Sequence, residues 1–215
     1  MLGKSHHIKN RLKLVKNLPT NSMCIFESND QMPTNADGLM PFRQNNDLLY
    51  LTGIDQEETS LVIFPDAKSD EYKEILFIKK TSKEIAVWEG HKLSIKEAQN
   101  ISGIKTVLWN DDYLNTLFAL INQSDCVFLS TNEHPRANVV VESRNKRLEK
   151  ILKHKFGNIK FDKSAPIMHK LRSVKEADEI NTIKKACSIT KSGFNRILKF
   201  IRPGINEYNI QAELI

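Results

Sequence analysis

The sequence is poor in glycine and in cysteine, with eight and three respectively among 215 residues. None of the glycines falls in a GxGxxG or GxxxxGK[ST] spacing, which excludes the usual phosphate-cradling loops. No GxSxG nucleophile elbow occurs either. Cys24, Cys126 and Cys187 are odd in number and far apart. That pattern excludes a disulfide framework and a CxxC metal site. Cys24 and Cys126 sit in apolar strand-like runs, as buried reduced thiols of a cytoplasmic protein would. No apolar run approaches the roughly 20 residues that span a bilayer. The basic N-terminal stretch MLGKSHHIKNRLKLVKNL alternates charged and apolar residues and lacks a signal-peptide core.

Metal ligands are also missing. His91, His134, His154 and His169 are remote from one another, none has a helical i+4 partner, and HExxH is absent. His6 and His7 read as a frayed, solvated terminus, and His134, before Pro135, as a surface loop residue. The acidic pairs Asp111-Asp112 and Glu57-Glu58 read as a helix start and a loop. From the residues alone, no catalytic residue and no metal site can be assembled.

What is present is an ordinary globular composition, 40% hydrophobic and 27% charged, with a net charge of +6. The basic residues are dispersed except in RNKRLEKILKHK, Arg144 to Lys155. There Leu148, Ile151, Leu152 and Phe156 recur at helical spacing, so the cations form a solvated face and not a nucleic-acid surface. The length fits one large domain, or one domain with an extension.

Short β-branched runs predict strands at Met23–Phe26, Leu61–Phe64, Ile75–Ile78, Thr106–Trp109 and Cys126–Leu129. Helical periodicity predicts helices over about 5–18, 94–102, 111–122, 136–156, 173–201 and from 206 onward. Tyr50, Leu51 and Thr52 read as a further strand, turned by Gly53. Alternating strands and helices imply an α/β sheet covered on both faces. Hairpin-like spacing between the second and third strands makes the sheet mixed. The polar stretch FDKSAPIMH marks a domain boundary near residue 170. After it, Ser173 and Glu176 have capping-box spacing. The next helix carries Ile180, Ile183, Ala186, Ile189, Thr190, Phe194, Ile197 and Leu198 on one stripe, which is expected to dimerise or dock on the first domain. Arg202-Pro203-Gly204 ends that helix and Asn206 caps another. The chain stops within that pattern, as a fragment would.

Three segments share one resemblance. They are PFRQNNDLLYLTG (41–53), VWEGHKL (87–93) and the C-terminal stretch with LRSVKEADEI, KKACSIT and IRPGINEY. In this order and spacing they resemble aminopeptidase P, within the creatinase, prolidase and aminopeptidase P group. The resemblance implies a three-layer α-β-α N-terminal domain with a mixed sheet over 1–170. It implies a helical extension over 171–215, the truncated start of a pita-bread catalytic domain. It further implies a hydrolase that removes an N-terminal residue preceding proline. Two Mn2+ ions held by two Asp, one His and two Glu would activate the attacking hydroxide. All five ligands lie beyond the segment present here, so the chain by itself is expected to be inactive.

The implied partners are the chain's own C-terminal catalytic domain, further copies in a homo-oligomer, and proline-containing peptides. Neither nucleic acid nor membrane is expected. Trp88 reads either as a core or interface tryptophan, or, by the resemblance, as a substrate-access residue reaching a neighbouring active site. An indole suits the flat apolar face of a proline ring. Glu89 and His91 depart from the family pattern, where an aromatic and an arginine are common. Asp37, Arg43 and Asp47 read as loop anchors, with Arg43 pairing Asp37 or Asp47. Two alternatives are a non-catalytic creatinase-like protein-binding module and a prolidase or creatinase-type hydrolase.

Overall fold

The five apolar runs are strands in the computed structural model, which describes residues 2–131 and 140–215, Lys83 by its backbone alone. His134 and the start of the helix expected from 136 lie outside the described residues. The chain divides into two units, Gly3–Ser173 and Val174–Ile215.

In the first unit the helices are α1 (Lys4–Val15), α2 (Asn46–Thr52), α3 (Lys83–Glu89), α4 (Ile95–Ser102), α5 (Tyr113–Ile121), α6 (Arg144–Lys155) and α7 (Ala165–Ser173). The strands are β1 (Ser22–Glu27), β2 (Ser60–Ile63), β3 (Glu74–Ile78), β4 (Thr106–Trp109), β5 (Cys126–Leu129) and β6 (Lys160–Lys163). They form one sheet in the order β4-β3-β2-β1-β5-β6. β2 runs antiparallel to β1 and β3, with Cys24 opposite Ile63 and Val62 opposite Ile75. The β3–β4, β1–β5 and β5–β6 pairs are parallel. The sheet is therefore mixed, as expected.

Period-two alternation sends Cys24, Phe26, Leu61, Ile63, Leu76 and Ile78 to one face. There they meet Leu14 of α1, Leu48 and Leu51 of α2, Ala98 of α4 and Met168 of α7. Met23, Ile25, Val62, Ile75, Phe77 and Val127 point the other way, against Leu117 and Ile121 of α5 and Leu148 and Leu152 of α6. Helices on both faces give the three layers. Cys24 and Cys126 are buried free thiols, and Cys187 is exposed.

Several local expectations are corrected. Tyr50-Leu51-Thr52 ends a helix, α2, not a strand. Asn45 caps its start by accepting from the N–H groups of Asp47 and Leu48, and Gly53 closes it at φ 71°. The polar stretch FDKSAPIMH, before the boundary expected near residue 170, is not a loop but holds the end of β6 and most of α7. β6, KFDK, is mostly exposed, and its two lysines suit the open edge of a sheet. His6 and His7 are not solvated, since each is only 5% exposed.

Their burial follows from what α1 does. His7 Nδ1 lies 3.1 Å from the Tyr50 carbonyl, which also accepts from Asn10 Nδ2 at 3.1 Å. Arg11 Nη1 donates to the Leu51 carbonyl at 2.8 Å and the Ser102 carbonyl at 2.9 Å. Arg11 Nε donates to Glu74 Oε2 at 3.1 Å. Tyr50, Leu51 and Ser102 belong to the last turns of α2 and α4, where carbonyls have no partner within the helix. One face of α1 thus caps two other helices. Close packing requires the glycines that end them. A Cβ on Gly53 would lie 2.4 Å from His7 Nε2, and one on Gly103 2.6 Å from Ile8 Cδ1.

In the second unit, α8 (Ala177–Phe200) is followed by α9 (Glu207–Leu214). The capping box sits three residues later than expected, with Glu179 Oε2 accepting from the Glu176 N–H at 2.8 Å. Ser173 instead ends α7. Asn209 Oδ1 accepts from the Asn206 N–H at 3.2 Å. Arg196 Nε pairs with Glu213 Oε1 at 2.5 Å, tying α9 to α8. Ile183, Ile189, Phe194 and Leu198 are each at least half exposed.

Arg11→Met strips donors from two buried helix ends and leaves Glu74 unpaired. The expected loss in urea unfolding of this chain is about 2–4 kcal/mol. Lys4→Met, at an exposed position of the same helix, serves as the control and should change the midpoint little.

Candidate functional site

Five strands point one way and β2 points the other, so one edge of the sheet gathers five strand C-termini and the start of β2. In α/β sheets, this edge is where loops converge to build sites. Two polar groups of residues meet there.

The first is centred on Glu27, the last residue of β1, which is 1% exposed. The Tyr113 hydroxyl donates to Glu27 Oε1. Ser60 Oγ donates to Oε2 at 2.8 Å, and Arg144 Nε donates to the same oxygen at 2.6 Å. Burial, then the adjacent carboxylate, pushes the Tyr113 phenol well above its ordinary 10.0. Three donors thus engage the two oxygens of this carboxylate. This cluster locks α5 and α6 onto β1. A shallow cleft of about 420 Å³ lies over it, beside Asn110, Asp111 and Arg144.

The second group surrounds α3, the helix that carries Trp88. Glu57, 7% exposed, accepts from Lys92 Nζ at 2.6 Å. Lys79, immediately after β3, places its ammonium 3.7 Å from Glu57, 3.6 Å from Glu58 and 2.6 Å from Glu89 at the end of α3. Gln56 Oε1 accepts from the Leu93 N–H at 2.8 Å. Burial pushes the Glu57 carboxyl up. The Lys92 hydrogen bond and the fields of Lys92 and Lys79 outweigh that and hold it below its ordinary 4.5. Burial pulls Lys79 down, but Glu89, Glu58 and Glu57 together raise it above 10.5.

Trp88 is 89% exposed and Val87 is 78% exposed, so the tryptophan is not a core residue. Val87, Trp88 and Glu89 end the helix, with the Ser82 hydroxyl accepting from the Ile85 N–H at its start and Gly90 at φ 78° as its C-cap. His91 Nε2 lies 3.2 Å from Glu97. The Arg43 pairing expected with Asp37 or Asp47 is not the one found. Asp47 Oδ1 accepts from Arg172 Nη1 at 2.7 Å, tying α2 to α7. The Arg43 carbonyl accepts from Asn29 Nδ2 at 2.8 Å, and Asp37 is exposed. Among the described residues, no three His, Cys, Asp or Glu side chains cluster as a metal ion would need. No described helix is long and apolar enough to cross a membrane.

The sequence signals missed Glu27 and Glu57. A glutamate ending an apolar strand run, and another in an acidic loop pair, have no local mark of burial. Tyr113 lies 86 residues from Glu27, and Lys92 lies 35 residues from Glu57.

Comparison with known proteins gives one consistent result. The family model described as "Aminopeptidase P, N-terminal domain" matches residues 7–128. The chain is 28% identical to the Xaa-Pro aminopeptidase of Escherichia coli K12, with 99% of this chain and 48% of that protein aligned. It is 26% identical to Xaa-Pro aminopeptidase 3 of Dictyostelium discoideum, over 88% of this chain and 35% of that protein. Among solved structures, the low-pH form of E. coli aminopeptidase P superposes with a TM-score of 0.80 at 26% identity, covering 100% of this chain and 49% of the other. The chain spans about half the length of the E. coli relative.

The Glu57–Lys92 pair sets a pH test. Because the Glu57 carboxyl is held low, its stabilising contribution is present above 4.5 and is lost as pH falls through the lowered value. Lys92→Met should cost about 1–3 kcal/mol near neutral pH, and the difference from the parent chain should shrink at ~pH 3. Urea titrations at the two pH values check this.

Proposed function

The chain belongs to the aminopeptidase P family through that family's N-terminal domain, and from this premise we propose that it is the N-terminal portion of a manganese-dependent Xaa-Pro aminopeptidase. That enzyme removes an N-terminal residue preceding proline. The observation that carries the reading is that the similarity runs through nearly all of this chain yet ends halfway along the E. coli enzyme. We read 1–170 as the N-terminal domain and 171–215 as the first helices of the catalytic domain.

In this reading catalysis belongs to the C-terminal catalytic domain, and this portion serves oligomer assembly and substrate access. When bound, two Mn2+ ions supply Lewis-acid polarisation of the scissile carbonyl. The described residues offer no grouped set of donors for such a centre, so no step is assigned to them. Trp88 is the residue offered to substrate. Its exposure on a short helix at the loop-rich edge supports that role, and its ring suits the proline face. Asp47, paired to Arg172, has the character of an anchor between α2 and α7. Arg43 and Asp37 are kept as anchors of the 29–43 loop. The apolar stripe of α8 is read as the surface that the rest of the catalytic domain covers. Free thiols at Cys24, Cys126 and Cys187 suit a cytoplasmic setting.

The chain with added Mn2+ should release no glycine from a Gly-Pro-containing tripeptide, whereas the full-length protein should. Turnover by the chain alone would overturn the assignment of catalysis elsewhere. An inactive full-length protein that captures a partner would favour the binding-module reading. Trp88→Ala in the full-length enzyme should raise KM about fivefold, a loss of about 1 kcal/mol. Unchanged steady-state constants would remove Trp88 from the substrate path.

A further inference from the structure

The helix that carries Trp88 has little of its own to hold it. α3 has seven residues, well short of the length at which an isolated helix is stable. Ile85 and Ala86 are only partly buried, and Val87, Trp88 and Glu89 are exposed. Apolar packing therefore does not fix its direction. Gly90, which follows it, lies at φ 78°, and nothing stands within 4 Å of where its Cβ would be. Such a position offers no steric stop at the C-terminal end of the helix.

The segment on the far side is anchored. Lys92 is held by buried Glu57, and the Leu93 N–H by buried Gln56. Among the described contacts, the Lys79–Glu89 pair is the one that ties α3 itself to the sheet. Lys79 follows Ile78, a fully buried strand residue, so its backbone is fixed. Its side chain is 22% exposed, and three carboxylates, Glu57, Glu58 and Glu89, surround the ammonium. A partly desolvated cation between fixed and movable carboxylates makes a directional tether where a fully exposed pair would not.

We propose that Lys79 is a positioning residue. By holding Glu89 together with the Glu57–Glu58 loop, it fixes the orientation in which α3 presents Trp88. The proposal rests on the reading of Trp88 as a substrate-access residue. Lys79 touches no substrate and acts through the helix. Arginine keeps the charge and reach, whereas methionine keeps only the length.

Two measurements test this. In the chain, amide hydrogen exchange across 84–90 should speed up about tenfold in Lys79→Met and stay near the parent rate in Lys79→Arg. The amides of β3 report whether the fold survives and should stay protected in both variants. In the full-length enzyme, Lys79→Met should raise KM for an Xaa-Pro tripeptide about threefold with kcat held. Combined with Trp88→Ala, it should add nothing further. Unchanged exchange across 84–90 overturns the tether. Faster exchange with normal kinetics, in an enzyme that Trp88→Ala impairs, overturns its role in positioning. Faster exchange with neither variant altering kinetics removes Trp88 from the reaction and Lys79 with it, and the exchange data tell this failure from the first.

Discussion

The hydrogen bonds that Arg11 donates from α1 to the ends of α2 and α4 are the contact on which the first unit's helical layer depends. A helix ends with carbonyls that have no partner and with a partial negative charge. Two such ends are brought to one guanidinium, 1% exposed, which also engages Glu74 at the start of β3. Burial pulls the Arg11 pKa down, Glu74 opposes this, and the group stays charged. Replacing that cation with an apolar side chain would leave no other group able to serve both carbonyls. His7 and Asn10 extend the same face to Tyr50. The layer is a polar assembly laid over an apolar one, and its apolar half, Leu14, Leu48, Leu51 and Ala98, packs on the sheet below.

Sheet polarity supplies the second constraint. Reversing β2 alone sets its N-terminal end beside the C-terminal ends of the other strands. The loop that precedes β2, with Gln56, Glu57 and Glu58, is thereby placed against the segment that follows β3. Residues distant in sequence become a charge network because of strand direction, with no local motif joining them. The same geometry delivers Ser60 to Glu27 across the β1–β2 pair, where the two are register partners.

The features readable in the sequence were those written in periodicity and in glycine. Apolar runs of four residues located five strands. Spacing placed α1, α4, α5 and α8 near their observed bounds. Edge strand β6 escaped because KFDK carries two lysines and little apolar signal. α2 was misread because Tyr50 and Thr52 favour strands, although Asn45, Asp47 and Gly53 are the cap, first-turn acid and closing residue of a helix. His6 and His7 looked solvated because their acceptor and ring partners come from a helix more than 40 residues away. The resemblance points to the family where residue chemistry alone stops at an α/β domain. Trp88 was singled out by that resemblance, and its tether was not, since Lys79 ends an apolar run as countless lysines do.

The reach of Arg11 has a consequence for how the protein is made. Its two carbonyl partners lie 40 and 91 residues downstream. During synthesis α1 emerges before α2 and α4, with a face of two histidines, an asparagine and an arginine that those helices later cover. α2 is available early, but the second acceptor, on Ser102, leaves the ribosome only after β3 and α4. The contact that joins α1 to α4 can therefore form only after Ser102 has emerged. Until then the Arg11 guanidinium can reach one of its two helix-end acceptors and not the other.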